Sequence, residues 1–379
     1  MSTITVVTVD AGGNVPPALR VADELARRGH RIEVLGHRRQ ADAVARVGHA
    51  FRALDSLDFW DSGVRRSVPV AIGQAARLAA DRDLEREVRE AVSASGSNVA
   101  LVDGLMASCV QGAQAAGAPA AVLFHTFLDF WERSYRRGPA GVVARLRGTD
   151  PLPAWAHAAA RIVASDVALD PASARRTALA LGAEWVGTIE SGVPATPDAA
   201  APPLVVVSLS TTWFPGQTDA YQRIATALGA LPVRGLITLG GLAPDRGLRL
   251  PPNVELRERV DHDEVFPEAS ILIGHGGHST AFRALAYGLP VLLMPMHPML
   301  DQPMVARSIE RAGAGRALGR TAPPERIAAA VTALLADDRA RAEASALGER
   351  IRATDAAGAA ADAVERLARA GSERPTPAA

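Results

Sequence analysis

Residues 271–315 hold the densest set of groups able to do chemistry. An apolar run ends at Ile273, and Gly274, Gly276 and Gly277 lead into Ser279 and Thr280. Glycines ahead of a helix let a ligand approach the backbone. The helix N-terminus behind them offers free N–H groups and partial positive charge. The spacing predicts a phosphate site, with His275 as an added hydrogen-bond donor. An ordinary strand-to-helix turn with a satisfied histidine would carry the same glycines. A second group lies near the N-terminus. Asp10 and His125 fall at the C-terminal ends of expected strands, where open α/β sheets bind ligands. Asp103 follows another expected strand, where a helix cap is an equally good reading. Asp261-His262-Asp263 has the form of a metal-binding Asp-x-Asp. That reading is rejected, because a tripeptide is a weak signal and Asp263 is expected to cap a helix starting at Glu264.

These residues need elements to position them. Residues 4–9 (ITVVTV) form a β-branched run that reads as a buried parallel strand. Residues 15–28 carry apolar side chains at helical spacing, with Pro16 and Pro17 in the first turn and Gly29 past the end. Residues 31–35 make the next strand. The alternation recurs at 98–102, 107–116 and 120–124, and again from 204 onward, with strands at 204–209, 234–239, 254–256, 271–273 and 291–294. Strands separated by helices imply open parallel sheets, hence an α/β fold. A Pro/Ala-rich stretch, 193–203, reads as a linker. It divides 1–192 from a second domain at 204–350. Residues 327–370 are Ala/Arg-rich and expected to be helical, and 371–379 are expected to be disordered.

The 379 residues are enough for two domains. Arg supplies all 41 cations, since the chain has no Lys, and 41 acidic residues balance them. That balance argues against a nucleic-acid partner. One cysteine, Cys109, excludes an internal disulfide and suits a core position. The first ten residues have no signal-peptide form, and no apolar run approaches a membrane span, so a cytoplasmic location is expected.

Residues 271–315 also resemble, nearly end to end, the donor-binding signature of family 1 glycosyltransferases, in particular bacterial natural-product members. The pattern stands here as His275 and Gly277, Ser279 and Thr280, Ala284 and Leu285, Gly288 and Pro290, Pro295, and Asp301 and Gln302. The resemblance implies the GT-B fold: two Rossmann-like domains facing each other across a cleft, with a C-terminal helix (351–370) crossing back. It implies an inverting transfer of a sugar from a nucleoside diphosphate (dTDP or UDP) to a small acceptor, with no metal or other cofactor. His275, Gly276, Gly277, Ser279 and Thr280 would hold the diphosphate, with Ser210, Thr211 and Thr212 from residues 207–212. Asp301 and Gln302 would bind sugar hydroxyls. Residues 254–265, with Arg259 and Val260, match the segment that holds the base. Arg259 replaces the base-stacking Trp of plant members and Arg283 replaces their ribose-gripping Glu, which favours a dTDP sugar. The segment between Pro295 and Asp301 is slightly long.

The resemblance places the general base in the first βα loop, after Gly13. Here that position is Asn14, an amide with no useful basicity, while Asp103 matches the carboxylate that orients the base. Asp10, Asp103 and His125 are the candidate replacements; otherwise the acceptor is an amine or an acidic phenol, with Asn14 as a positioner. Gly13 is a further candidate for the acceptor site, and Phe59, Trp60, Phe124, Phe127, Phe130 and Trp131 are candidates to line an apolar acceptor pocket. Two other readings stay open. One is a nucleotide-sugar epimerase on the same fold; the other is a non-catalytic nucleotide-sugar-binding partner of another enzyme. The expected oligomeric state is a monomer or homodimer.

Overall fold

The structure is a computed structural model, and it describes residues 1–372. Two compact units make up the chain. The first contains Met1–Asp61, Arg66–Ile189 and the chain from Asp355 onward; the second contains Ser62–Arg65 and Glu190–Thr354.

The first unit is built on a seven-stranded parallel sheet: β1 (Thr3–Val7), β2 (Arg31–Gly36), β3 (Ala50–Ala53), β4 (Val99–Asp103), β5 (Ala120–Phe124), β6 (Ala160–Val163) and β7 (Ala183–Trp185). Their spatial order is β3-β2-β1-β4-β5-β6-β7. The middle strands β4 and β5 are buried at every residue, which is why they read as unbroken apolar runs. The helix Val15–Arg27 starts with prolines in its first turn, and Gly29 follows its end at φ +89°. One side of the sheet is packed by that helix and by the last helix, Ala356–Ser372, through Val21, Leu25, Ala360 and Val364.

The second unit has six parallel strands: β8 (Leu204–Ser208), β9 (Arg234–Thr238), β10 (Val254–Arg257), β11 (Ala269–Gly274), β12 (Val291–Leu293) and β13 (Gly315–Ala317). Their order is β10-β9-β8-β11-β12-β13. In both sheets the chain reverses its direction of travel between two central strands. These switch points lie between β1 and β4 and between β8 and β11. Open α/β sheets bind ligands outside the C-terminal ends of the strands at such a point.

Some elements differ from expectation. Residues 327–370 are not one run: helices Pro324–Leu335, Asp338–Ala353 and Ala356–Ser372 divide them. The last helix begins at Ala356 rather than 351. Gly371 and Ser372 complete it, so the expected disorder fails there, and residues 373–379 lie outside the described residues. Asp261, not Asp263, caps the short helix His262–Val265, accepting from the Asp263 N–H at 3.1 Å. Asp263 instead meets Arg283 at 2.5 Å and accepts from the Tyr287 hydroxyl at 2.6 Å. The short strands β3, β6, β7 and β13 were not expected.

Candidate functional site

At the first switch point, the loop after β1 and the end of β4 bring Asn14 and Asp103 together. Asn14 is wholly buried. Its Nδ2 donates to the Val9 carbonyl at 2.6 Å and to Asp103 Oδ2 at 2.7 Å, and its Oδ1 accepts from the Ala11 N–H at 3.1 Å. Both donors and the carbonyl are therefore in use inside the protein. Asp103 Oδ1 accepts from the Leu105 N–H at 2.8 Å. Burial pushes the Asp103 carboxyl above its ordinary range; His125, Asn14 and Leu105 pull it back. Directly after β5, His125 places Nδ1 at 3.8 Å from Asp103 Oδ2. Three of the four candidate catalytic residues thus share one neighbourhood. The Asp10 backbone carbonyl accepts from Trp60 Nε1 at 2.7 Å.

The aromatic candidates separate. Phe124, Phe127 and Trp131 are at most 1% exposed. Phe124 and Trp131 pack with Tyr135 and Trp155 in the core, with ring centroids 4.9–6.0 Å apart. These three were expected to line an acceptor pocket; in the structure they are buried in the core. Phe59 and Trp60 are half-buried and carry Arg77 and Arg66 over their rings. Gly13 is exposed in the loop after β1, and Phe130 packs edge-on against Trp131.

At the second switch point, β8 and β11 run side by side and end together, Ser208 opposite Gly274. His275 follows β11. It is 8% exposed, and its Nδ1 is buried without a hydrogen-bond partner. Burial drives its imidazole down to about 4, so the ring is neutral near pH 7. Gly276 sits at φ +83°, and a Cβ there would meet the Gln302 carbonyl oxygen at 2.9 Å. Gly277 then starts the helix His278–Ala286 without a side-chain cap and with no acidic residue in its first turn. A ligand anion would find those N–H groups uncapped.

Ser210 borders the same strand ends. Its φ of 148° is the one positive non-glycine value among the described residues. Its hydroxyl accepts from the Thr212 N–H at 2.9 Å. Gly240 is packed so closely beneath it that a Cβ would lie 2.7 Å from the Ser210 carbonyl. Thr211 is exposed and Thr212 half-buried. Arg259 is exposed over Gly240, and Val260 is half-buried beside it. The Ser279 hydroxyl donates to Glu190 at 2.6 Å, whereas Thr280 is half-buried in the same helical turn.

Gln302 is 2% exposed, and its Oε1 accepts from the N–H groups of Met296 and His297 at 2.8 and 2.9 Å. Its carbonyl therefore shapes the long 296–300 segment and is not available to a sugar hydroxyl. Asp301, at the start of helix Gln302–Arg311, is half-buried. Sequence reasoning missed Phe214, whose ring lies 6.2 Å from His275 and 6.1 Å from His297. It also missed Arg320, which donates to the Pro215 and Met296 carbonyls at 3.2 Å. No motif marks them; only the fold brings them to the loop.

Among solved structures, CalG4, the calicheamicin glycosyltransferase, superposes on 99% of this chain and 100% of its own, with TM-score 0.77 and 23% identity. The chain has the GT-B fold. A second GT-B neighbour, the glycosyltransferase VinC in complex with dTDP, covers 97% of this chain and 100% of its own at TM-score 0.71 and 16% identity. Residues 226–367 of the GT-B chain match the family described as erythromycin biosynthesis protein CIII-like, C-terminal domain. The demethyllactenocin mycarosyltransferase of Streptomyces fradiae is 34% identical over 168 residues, 44% of this chain. The match spans about a third of that relative, 36% of its length. Among the described residues, no helix is long and apolar enough to cross a membrane.

Proposed function

We propose that this GT-B chain is an inverting glycosyltransferase. It moves a sugar from a dTDP or UDP carrier to a small natural-product acceptor, in the cytoplasm, as a monomer or homodimer. The observation that carries the reading is the second switch point. An uncapped helix N-terminus, a glycine turn and a buried, partnerless histidine nitrogen meet there at the paired ends of β8 and β11. Those groups suit the diphosphate of a nucleotide sugar. In a direct displacement the acceptor atom bonds to the anomeric carbon as the carbon–oxygen bond to the diphosphate breaks. Negative charge then grows on the leaving diphosphate, next to the helix N-terminus and the His275 ring. Thr280, Ser210 and Thr212 add hydroxyls, and Asp301 is the candidate for the sugar. The dTDP carrier is favoured because VinC binds dTDP and because Arg283 stands where plant members carry a ribose-gripping Glu.

The reaction needs no metal ion. Asp263, half of the Asp-x-Asp pattern, is committed to Arg283 and Tyr287, and Asp261 caps a helix. One experiment separates the readings. The protein is incubated with dTDP-glucose or UDP-glucose and a panel of phenols, amines and alcohols, with and without EDTA. Release of nucleoside diphosphate that depends on the acceptor and survives EDTA is expected. A new nucleotide sugar without release would make it an epimerase. Tight donor binding without turnover would support a non-catalytic partner, the reading that the fully engaged amide of Asn14 favours.

A further inference from the structure

Asn14 spends its amide on Val9, Ala11 and Asp103, so it has nothing left to offer an acceptor. Two hydrogen bonds from Asn14 and Leu105 hold Asp103, each on a different carboxylate oxygen. The imidazole facing that carboxylate is His125. Its side chain is 18% exposed, yet its Nδ1 is buried, has no hydrogen-bond partner, and lies 3.8 Å from Asp103 Oδ2. The accessible part of the ring is therefore not its Nδ1 edge. Trp131 meets the ring edge-on at 5.4 Å, restricting its tilt. Tyr135 also faces Asp103, and burial keeps its phenol protonated, so it adds no charge.

We propose that His125 is the base that takes the acceptor's proton, with Asp103 as its positioning carboxylate and Asn14 as the strut that holds Asp103 still. The inference rests on the glycosyltransferase reading above. It moves the imidazole from the first βα loop to the end of β5 while keeping the same buried carboxylate. The step balances in protons and electrons. The acceptor oxygen bonds to the anomeric carbon, and the bond to the diphosphate breaks with its electron pair. The acceptor's proton passes to His125 Nε2. Nδ1–H points its proton toward Asp103, whose negative charge stabilises the imidazolium. Asp103 cannot itself serve, because it is 3% exposed and both its oxygens are engaged.

Two measurements test the pair. The first follows the His125 ring resonances by NMR at one fixed pH and needs no substrate. Asp103→Asn should move them, because it replaces the facing carboxylate, 3.8 Å from Nδ1, with an amide. Unmoved resonances would overturn the pairing. The second uses dTDP-glucose with 2-phenylethanol as acceptor. His125→Asn should cut kcat about a hundredfold and leave KM for dTDP-glucose unchanged. Transfer to 4-methylumbelliferone, which ionises readily, should fall far less. Adding Asn14→His to His125→Asn should restore part of the alcohol rate, since it returns an imidazole to Asp103. A wild-type alcohol rate in His125→Asn, with the fold checked by circular dichroism, sinks the proposal. If the wild-type protein binds dTDP-glucose but glycosylates none of the panel, the glycosyltransferase reading fails instead, and the NMR comparison with Asp103→Asn alone decides the pair.

Discussion

His275 and His125 each bury a partnerless Nδ1, yet their surroundings give them different chemistry. No carboxylate pairs with His275, and burial holds it near a pKa of about 4. On the proposed reading it meets the donor as a neutral ring rather than a counter-charge. Removing one hydrogen bond to a charged group costs about 1.5–3 kcal/mol. His275→Ala should therefore weaken dTDP-glucose binding by about ten- to a hundredfold while the fold persists. The His275 contribution should be flat between pH 6 and 8 and grow only as pH falls toward 4, where the ring gains its proton. Calorimetry at pH 6, 7 and 8 on both proteins checks this; equal affinities would remove His275 from the donor site. At this scale the sequence was partly legible. The Gly-His-Gly-Gly turn and the Asp103 carboxylate stood out by their place after expected strands, where an ordinary turn and a helix cap leave the same marks. Which way an aromatic faces could not. Phe124 and Trp131 have the same composition signal whether they line a pocket or fill a core, and the sheet face decided for the core.

The glycine turn after β11 shows how an element enforces its residues' geometry. Gly276 needs a left-handed backbone, φ +83°, and it lies against the Gln302 carbonyl with no space for a Cβ. Gln302 in turn holds Met296 and His297. The phosphate turn and the long 296–300 segment are thus coupled through one backbone contact. Gly276→Ala combines φ strain with a 2.9 Å contact against backbone. Strain of this kind costs about 1–3 kcal/mol. The variant should lower the melting temperature of the second unit and lose dTDP binding more completely than His275→Ala does. Gly247→Ala, with open space at the same atom, should do neither. If Gly276→Ala binds dTDP normally, the turn is not the phosphate site. Central strands were legible here because burial on both faces makes an apolar run, as in β8 and β11. The edge strands were not: β7 (AEW) and β13 (GRA) are three residues long, and β3 (AFRA) alternates too weakly to mark a period.

On the scale of the whole chain, the last helix returns to the first unit, and its apolar side completes the packing over helix Val15–Arg27. Its polar side is fastened by charge. Arg28 reaches Glu24 at 2.7 Å, Asp362 at 2.5 Å and Glu365 at 3.2 Å, and His30 Nε2 meets Glu365 at 2.8 Å. The hydrogen bond from His30 first, and then Arg28, hold the Glu365 carboxyl below its ordinary value of 4.5. The two arginines beside Glu24 bring it from 4.5 to about 2. A carboxyl whose folded pKa is depressed binds protons more readily when unfolded. Its stabilisation is complete above pH 4.5 and disappears as pH falls through the folded value. Glu365→Gln keeps the shape and removes the charge. Its urea midpoint for unfolding of the first unit should lie below the wild-type midpoint at pH 7, and the gap should narrow as pH falls below 4.5. The size of the gap should also shrink with added salt, since these groups are partly in contact with water. A gap of equal size at pH 7 and pH 3 would mean that Glu365 acts by shape alone. In that case the last helix would be held to the first unit by its apolar side, through Ala360, Ala361 and Val364, and not by the charged fastening around Arg28.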